Sequence, residues 1–374
     1  MRSLEILQFG GIQNTNPPRS IPNNALADAV DVDINDAGNV LERLGADALP
    51  ALSLPVEAAY TAQNGVSYVV SNDVLHRLNP DFSLTAIHPC TARAFADQDD
   101  YLFTNDGLMV YGDQAATIAI PVAPTPEVTV IPGSGPSGLI AATVTYQNDS
   151  GLMTAASPIV RAVLYDDSDI LVTPQPTGLT ANIWLTETYN DPKTGGEVFY
   201  NTADGSILPE IFLGADAFPG GHCIEWFDSR LFLAQQINAN LSVINFSHRD
   251  HYHLYDLAQH YFIIPDTIHD MKATESALVL AGESGIYAYD GQSLSVLANY
   301  GCPAGRSIVK LPGLDALLIH SKRGFCQFPD FKNLTEKKVS LPAGSHCSTH
   351  IVHQRGMQQV VALHNGGEAF NKHT

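Results

Sequence analysis

Four histidines fall close together in the run FSHRDHYHLYDLAQHY: His248, His251, His253 and His260. His251 and His253 lie two apart, so on a strand they face the same way, as metal ligands often do, and Asp250 and Asp256 stand near. The competing reading is a loop at a subunit contact or a set of solvated histidines, and that is the one expected here. Asp31, Asp33, Asn35 and Glu42 fall at positions 1, 3, 5 and 12 of a calcium-loop template. The glycine that the sharp turn requires is replaced by Asp36, Gly38 is displaced, and no helical pattern flanks the run, so a solvated hairpin face is expected instead. The chain has no G-x-S-x-G, H-E-x-x-H or P-loop, and no G-x-G-x-x-G that opens a helix. Carboxylates are plentiful, but no pair stands out as the couple that a glycosidase needs. The expectation is a non-enzyme, with no catalytic residue, cofactor site or metal site assigned.

The elements that carry these residues are strands. The chain has 374 residues, 45% hydrophobic, with 29 Gly and 23 Pro and only 16% charged residues. Low charge with many turn formers points to strands and turns rather than long helices, and only Pro22–Val30 and a few other short runs look briefly helical. The net charge of −20, from 39 acidic and 19 basic residues, argues against nucleic-acid binding as the main business. No signal-peptide pattern follows Met1-Arg2, and no run approaches a membrane span. The five cysteines (90, 223, 302, 326 and 347) contain no C-x-x-C and fit reduced thiols in a protein made in a cytoplasm.

A repeat organises the chain. YVVSNDVLHRL (68–78) is followed by YLFTNDGLMVYG (101–112), two small meanders with an Asn-Asp turn in the same place. Similar units recur after residue 220, the clearest being MKATESALVLAGESGIYAYDGQSLSVLA (271–298). Cys90, Cys223, Cys302 and Cys347 each follow a His- or Gly-containing turn at the start of a unit. The spacing is that of a four-stranded propeller blade, roughly 40 residues. Six units are expected, starting near 54, 90, 223, 267, 302 and 347. The fold class is therefore all-β, a β-propeller of about six blades, with a sandwich or barrel as the rival.

Residues 124–212 break the period. They hold strands at sandwich-like spacing, with ten acidic and two basic residues, Arg161 and Lys193. They read as an inserted immunoglobulin- or fibronectin-like β-sandwich. The expected division is 1–123 for closing strands and first blades, 124–212 for the insert, and 213–374 for the remaining blades. Trp184 and Trp226 read as core anchors. Val30, Val32 and Ile34 alternate with polar residues before an Asp36–Asn39 turn, which predicts a hairpin with Val40-Leu41. Because the last unit runs out of chain, Ala29–Leu41, or the stretch Leu4–Phe9, is expected to pair with strands of 349–370 and close the ring.

Several stretches together resemble the propeller proteins of bacteriophage tails, including nozzle and hub proteins of short-tailed phages. They are the opening FGGIQNTNPPRSIPNNALADAVDVDINDAGNVLERLG, the run LIAATVTYQNDSGLMTAASPIV, and the set Phe227–Phe232, Asn245–Ser247 and Ala281–Tyr287. The resemblance implies a non-enzymatic structural component of a virion tail, made in the host cytoplasm. Its partners would be other tail proteins and copies of itself, with genomic DNA passing nearby without sequence-specific contact, and with no membrane span and no small-molecule substrate. A baseplate, fibre-attachment or receptor-binding propeller is the alternative, with Tyr252, Tyr255 and Tyr261 as candidate contact residues; a propeller glycoside hydrolase is a further one.

Overall fold

A computed structural model describes residues 32–34, 40–42, 55–189, 197–335, 346–354 and 357–365. The chain is all-β: among the described residues the one helical feature is a 3-10 turn at Glu210–Phe212. Pro22–Val30 lies outside the described residues. Strands β1 (Val32–Ile34) and β2 (Val40–Glu42) form the expected hairpin, with Ile34 opposite Val40.

Meanders follow. The first sheet is β3 (Ala58–Thr61), β4 (Ser67–Ser71), β5 (Val74–Leu78) and β6 (Leu84–Pro89), and the second is β7 (Phe95–Gln98), β8 (Tyr101–Thr104), β9 (Leu108–Tyr111) and β10 (Gln114–Thr117). Residues 124–212 hold two sheets. One pairs β11 (Glu127–Gly135) with β14 (Ser168–Thr173); the other has the order β13 (Val160–Leu164), β12 (Gly138–Gln147), β15 (Thr180–Leu185), β16 (Tyr200–Asn201). The third repeated sheet is β17 (Cys223–Phe227), β18 (Arg230–Asn238), β19 (Leu241–His248) and β20 (His251–Tyr255), with β21 (Tyr261–Ile264) paired to β19. The fourth is β22 (Ile268–Ala273), β23 (Leu278–Gly282), β24 (Ile286–Tyr289) and β25 (Leu294–Ala298). After β26 (Ala304–Arg306), the fifth is β27 (Ile308–Lys310), β28 (Leu317–Ser321), β29 (Gly324–Phe328) and β30 (Lys332–Asn333). The last sheet has the order β26, β31 (His346–Gln354), β32 (Met357–Asn365).

These sheets begin where the sequence repeat places its units. The turns explain why. Asn72 and Asp73 have φ of 50° and 56°, and Asp228 and Ser229 have φ of 50° and 57°. Two successive left-handed residues make the hairpin turn whose twist matches that of the flanking strands, and Asn and Asp tolerate it best after glycine.

The chain divides into two compact units, 55–235 with 243–263, and 1–54 with 236–242 and 264–374. In the first, the second sheet is buried on both faces. Leu102 and Val110 join Tyr60, Tyr68 and Leu75 of the first sheet in one core. Their neighbours Phe103 and Met109 point the other way, into a core with Ile224, Leu231, Leu233 and Tyr255 of the third sheet. A strand with two buried faces has no polar side, which is why YLFT and LMVY read as unbroken apolar runs. The insert packs Ala141, Trp184, Phe199 and Phe212 against Leu254 of β20. In the second unit Val279, Ala281 and Ile286 of the fourth sheet meet Ile308, Ile319 and Cys326 of the fifth.

The expected ring closure by Ala29–Leu41 or Leu4–Phe9 falls largely outside the described residues. Among the described residues β1 and β2 pair with each other, and the strand beside β31 is β26, which runs parallel to it, with Gly305 opposite Cys347. Leu4–Phe9 and 29–31 lie outside the described residues. β26 covers one edge of β31 and β32 covers the other.

Gly107, in the β8–β9 turn, has φ of +89°, and a Cβ there would stand 2.5 Å from Ala119 Cβ. Gly107→Ala is expected to lower the stability of the chain by about 2 kcal/mol or more, from backbone strain plus overlap. Urea unfolding of the two proteins measures it.

Candidate functional site

The histidine run folds into β19, β20 and the segment between β20 and β21. His248 and His260 meet edge to face with centroids 4.5 Å apart, and His260 stacks on Phe246 at 5.3 Å. The Arg230 guanidinium lies 5.0 Å from the same Phe246 ring. Burial holds both imidazoles below the usual histidine value; His260 adds to the effect at His248, and Arg230 adds to it at both. His251 and His253 have ring centroids 6.3 Å apart, and each takes a different backbone partner. His251 Nδ1 is 2.9 Å from the Arg249 carbonyl, while His253 Nε2 donates to the Met153 carbonyl at 3.0 Å. Among the described residues no three His, Cys, Asp or Glu side chains converge on a metal position. Of the calcium-template residues, Asp33 and Glu42 lie in β1 and β2; Asp31 and Asn35 are outside the described residues.

The tyrosines separate sharply. Tyr255 is fully buried, and its hydroxyl donates to the Leu231 carbonyl, so it meets no outside molecule. Tyr252 is half-buried against Phe103, which also faces the Trp226 ring, 5.6 Å away and within 9° of parallel. Tyr261 is exposed. Trp184 is a core anchor whose Nε1 donates to Thr145 Oγ1 at 2.9 Å.

The polar groups that the structure does draw together are carboxylates, three of them in or beside first strands and one, Asp106, in the β8–β9 turn. Asp97 of β7 accepts from the Tyr60 hydroxyl and from Gln63 N–H at 2.9 Å, tying the second sheet to the first. Asp270 of β22 accepts from Ser307 and Ile308 N–H, both at 2.8 Å, tying the fourth sheet to the start of the fifth. Asp266, 2% exposed, accepts from Gly285 N–H at 2.8 Å, Ser284 N–H at 2.9 Å, Thr267 N–H at 2.9 Å and the Tyr287 hydroxyl at 3.1 Å. It fastens the β21–β22 connection to the β23–β24 turn. Asp106 accepts from Thr91 N–H at 2.7 Å and from the Thr104 hydroxyl. The Asp270 residue keeps some exposure, but its carboxylate is enclosed: burial raises its pKa, and Lys272 and the two N–H donors pull it back. A carboxylate whose lone pairs point at fixed N–H groups is a fastener.

Sequence reading missed these four residues. The one available signal was a lone Asp at an inward position of an apolar strand, as Asp97 is in FADQ, and such a residue reads equally well as the solvent face.

No protein-family model matches the chain, and no curated protein matches it. Solved structures similar to it include Kluyveromyces lactis Hsv2, at 9% identity over 85% of this chain and 100% of that one, with a TM-score of 0.30. The WD40 domain of Neurospora crassa Pan2 is similar at 11% identity over 79% and 83%, with a TM-score of 0.31. Citrobacter koseri AztD is similar at 11% identity over 88% and 95%, with a TM-score of 0.31.

Two outcomes are expected. Asp266→Ala strands three N–H donors and a phenol, and is expected to cost about 3 kcal/mol in urea unfolding, well above the cost of Asp290→Ala at an exposed turn. The second concerns pH. Burial lowers the pKa of His253 from 6.5 to about 4. Between those values the unfolded chain binds a proton that the folded chain refuses, so this stabilisation is complete above pH 6.5 and falls as the pH drops towards 4. Thermal midpoints across that window are expected to decline for the wild type and to decline less for His253→Gln.

Proposed function

We propose that the chain is a β-propeller of about six blades carrying an immunoglobulin- or fibronectin-like insert, and that it is a non-enzymatic structural component of a bacteriophage virion, in the tail nozzle or hub. The observation that carries the scaffold reading is the use of buried carboxylates. Asp97, Asp266 and Asp270 each satisfy donors of a neighbouring sheet or turn, which is work done for rigidity. The virion assignment rests on the resemblance of the opening stretch, the insert and the blade motifs to phage tail propellers. Copies would form a ring around the DNA channel. With −20 on each chain such a ring repels phosphate and does not hold DNA back during ejection.

Partners on this reading are other tail proteins and further copies of the chain. Among the described residues no helix is long and apolar enough to cross a membrane. The receptor-binding alternative has one observation in its favour, an exposed tyrosine pair on the second sheet, Tyr101 and Tyr111.

Purified particles and a gene deletion test the proposal. The chain is expected in the tail fraction of particles, and deletion is expected to leave filled heads without a complete tail. Infectious particles of normal morphology made without it contradict the proposal.

A further inference from the structure

Tyr101 and Tyr111 stand directly opposite each other on β8 and β9, with ring centroids 5.0 Å apart and 35° between planes. They are 41% and 52% exposed. Cross-strand aromatic pairs stabilise sheets, but this pair is also the open end of a rigid stack. Tyr101 lies 6.4 Å from Phe103, which is 2% exposed and is fixed in the core of the second and third sheets. The exposed rings are therefore held in place before any ligand arrives, which lowers the ordering cost of binding.

The two turns that flank the pair supply charge. Asp99 and Asp100 precede Tyr101, Asp113 follows Tyr111 by two residues, and all three are exposed. Asp113 is paired with Arg77, whereas Asp99 and Asp100 make no ion pair with a described residue. Asp99 and Asp100 lie in the β7–β8 turn and Asp113 lies in the β9–β10 turn, so these carboxylates gather at one end of the sheet. Aromatic faces carry negative quadrupole density, and carboxylates are acceptors only. Both features attract a cation.

We propose that this end of the second sheet docks a basic segment of a partner protein. An arginine or lysine stem lies across Tyr101 and Tyr111, with its charge at Asp99 and Asp100. The aromatic faces add cation–π attraction to the charge pairing. This inference stands on the surface alone and does not depend on a virion role.

Calorimetric titration of the full chain with a short capped peptide alternating arginine and glycine tests it, with the citrulline version of the peptide as the neutral control. The arginine peptide is expected to bind and the citrulline peptide to bind at least tenfold more weakly. Tyr101→Leu with Tyr111→Leu is expected to weaken binding about tenfold, while Tyr101→Phe with Tyr111→Phe keeps it, because the ring faces remain. Asp99→Asn with Asp100→Asn is expected to weaken it, whereas Asp166→Asn with Asp167→Asn, an equal charge loss on the insert, leaves it unchanged. Wild-type affinity in the leucine variant overturns the proposal. So does equal weakening by the two asparagine variants, which means attraction to net charge alone, and so does displacement of the peptide by a neutral oligosaccharide.

Discussion

A sheet that is buried on both faces has only its ends left for polar contact, and the rest of this structure follows from that constraint. Leu102 and Phe103, adjacent on one strand, belong to two different cores. Dispersion and apolar burial press such sheets together but do not fix how one sheet is turned on the next, because apolar contact is not directional. Direction comes from the carboxylates. Asp270 reaches the N–H groups of Ser307 and Ile308, and Asp97 reaches Gln63 and Tyr60. Each is a charge-assisted contact to groups at the ends of strands, where backbone donors would otherwise be unpaired. The arrangement costs desolvation, seen in the raised pKa of Asp270, and gains a single geometry.

The same constraint accounts for the fate of the chemistry suggested by the sequence. Two of the four histidines end on backbone carbonyls, His251 on Arg249 and His253 on Met153. His253 holds Met153 of the insert, so this imidazole joins the insert to the following sheet. Leu254 beside it points into the insert core. The insert is thus docked on β20 by a polar and an apolar contact from adjacent residues.

Much of the architecture was legible because its signals are local. Asn72-Asp73 and Asp228-Ser229 announce their turns by residue type, and the strands between turns are short and apolar. The hairpin of Val32–Ile34 with Val40–Glu42 was likewise written in alternation. What was not legible is non-local. The partner of β31 is β26, three residues in a connection, and nothing in Ala304-Gly305-Arg306 marks a strand. Facing was also hidden where a ladder is irregular: the register shift between Ser247 and His248 accompanies a Tyr255 buried in the core, while Tyr252 stays half-buried. The fastening carboxylates were invisible for the same reason, since their donors lie up to 38 residues away in sequence.

Amide hydrogen exchange at Ser307, Ile308, Ser284 and Gly285 tests most directly whether carboxylates fix the sheets. None of these N–H groups lies inside a regular ladder, except that Ile308 begins β27, so loop-like exchange is the default for most of them. The account predicts protection close to that of the central strands β23 and β28, lost at Ser307 and Ile308 in Asp270→Ala and at Ser284 and Gly285 in Asp266→Ala. Rapid exchange of these amides in the wild-type chain, with β23 and β28 protected, contradicts it.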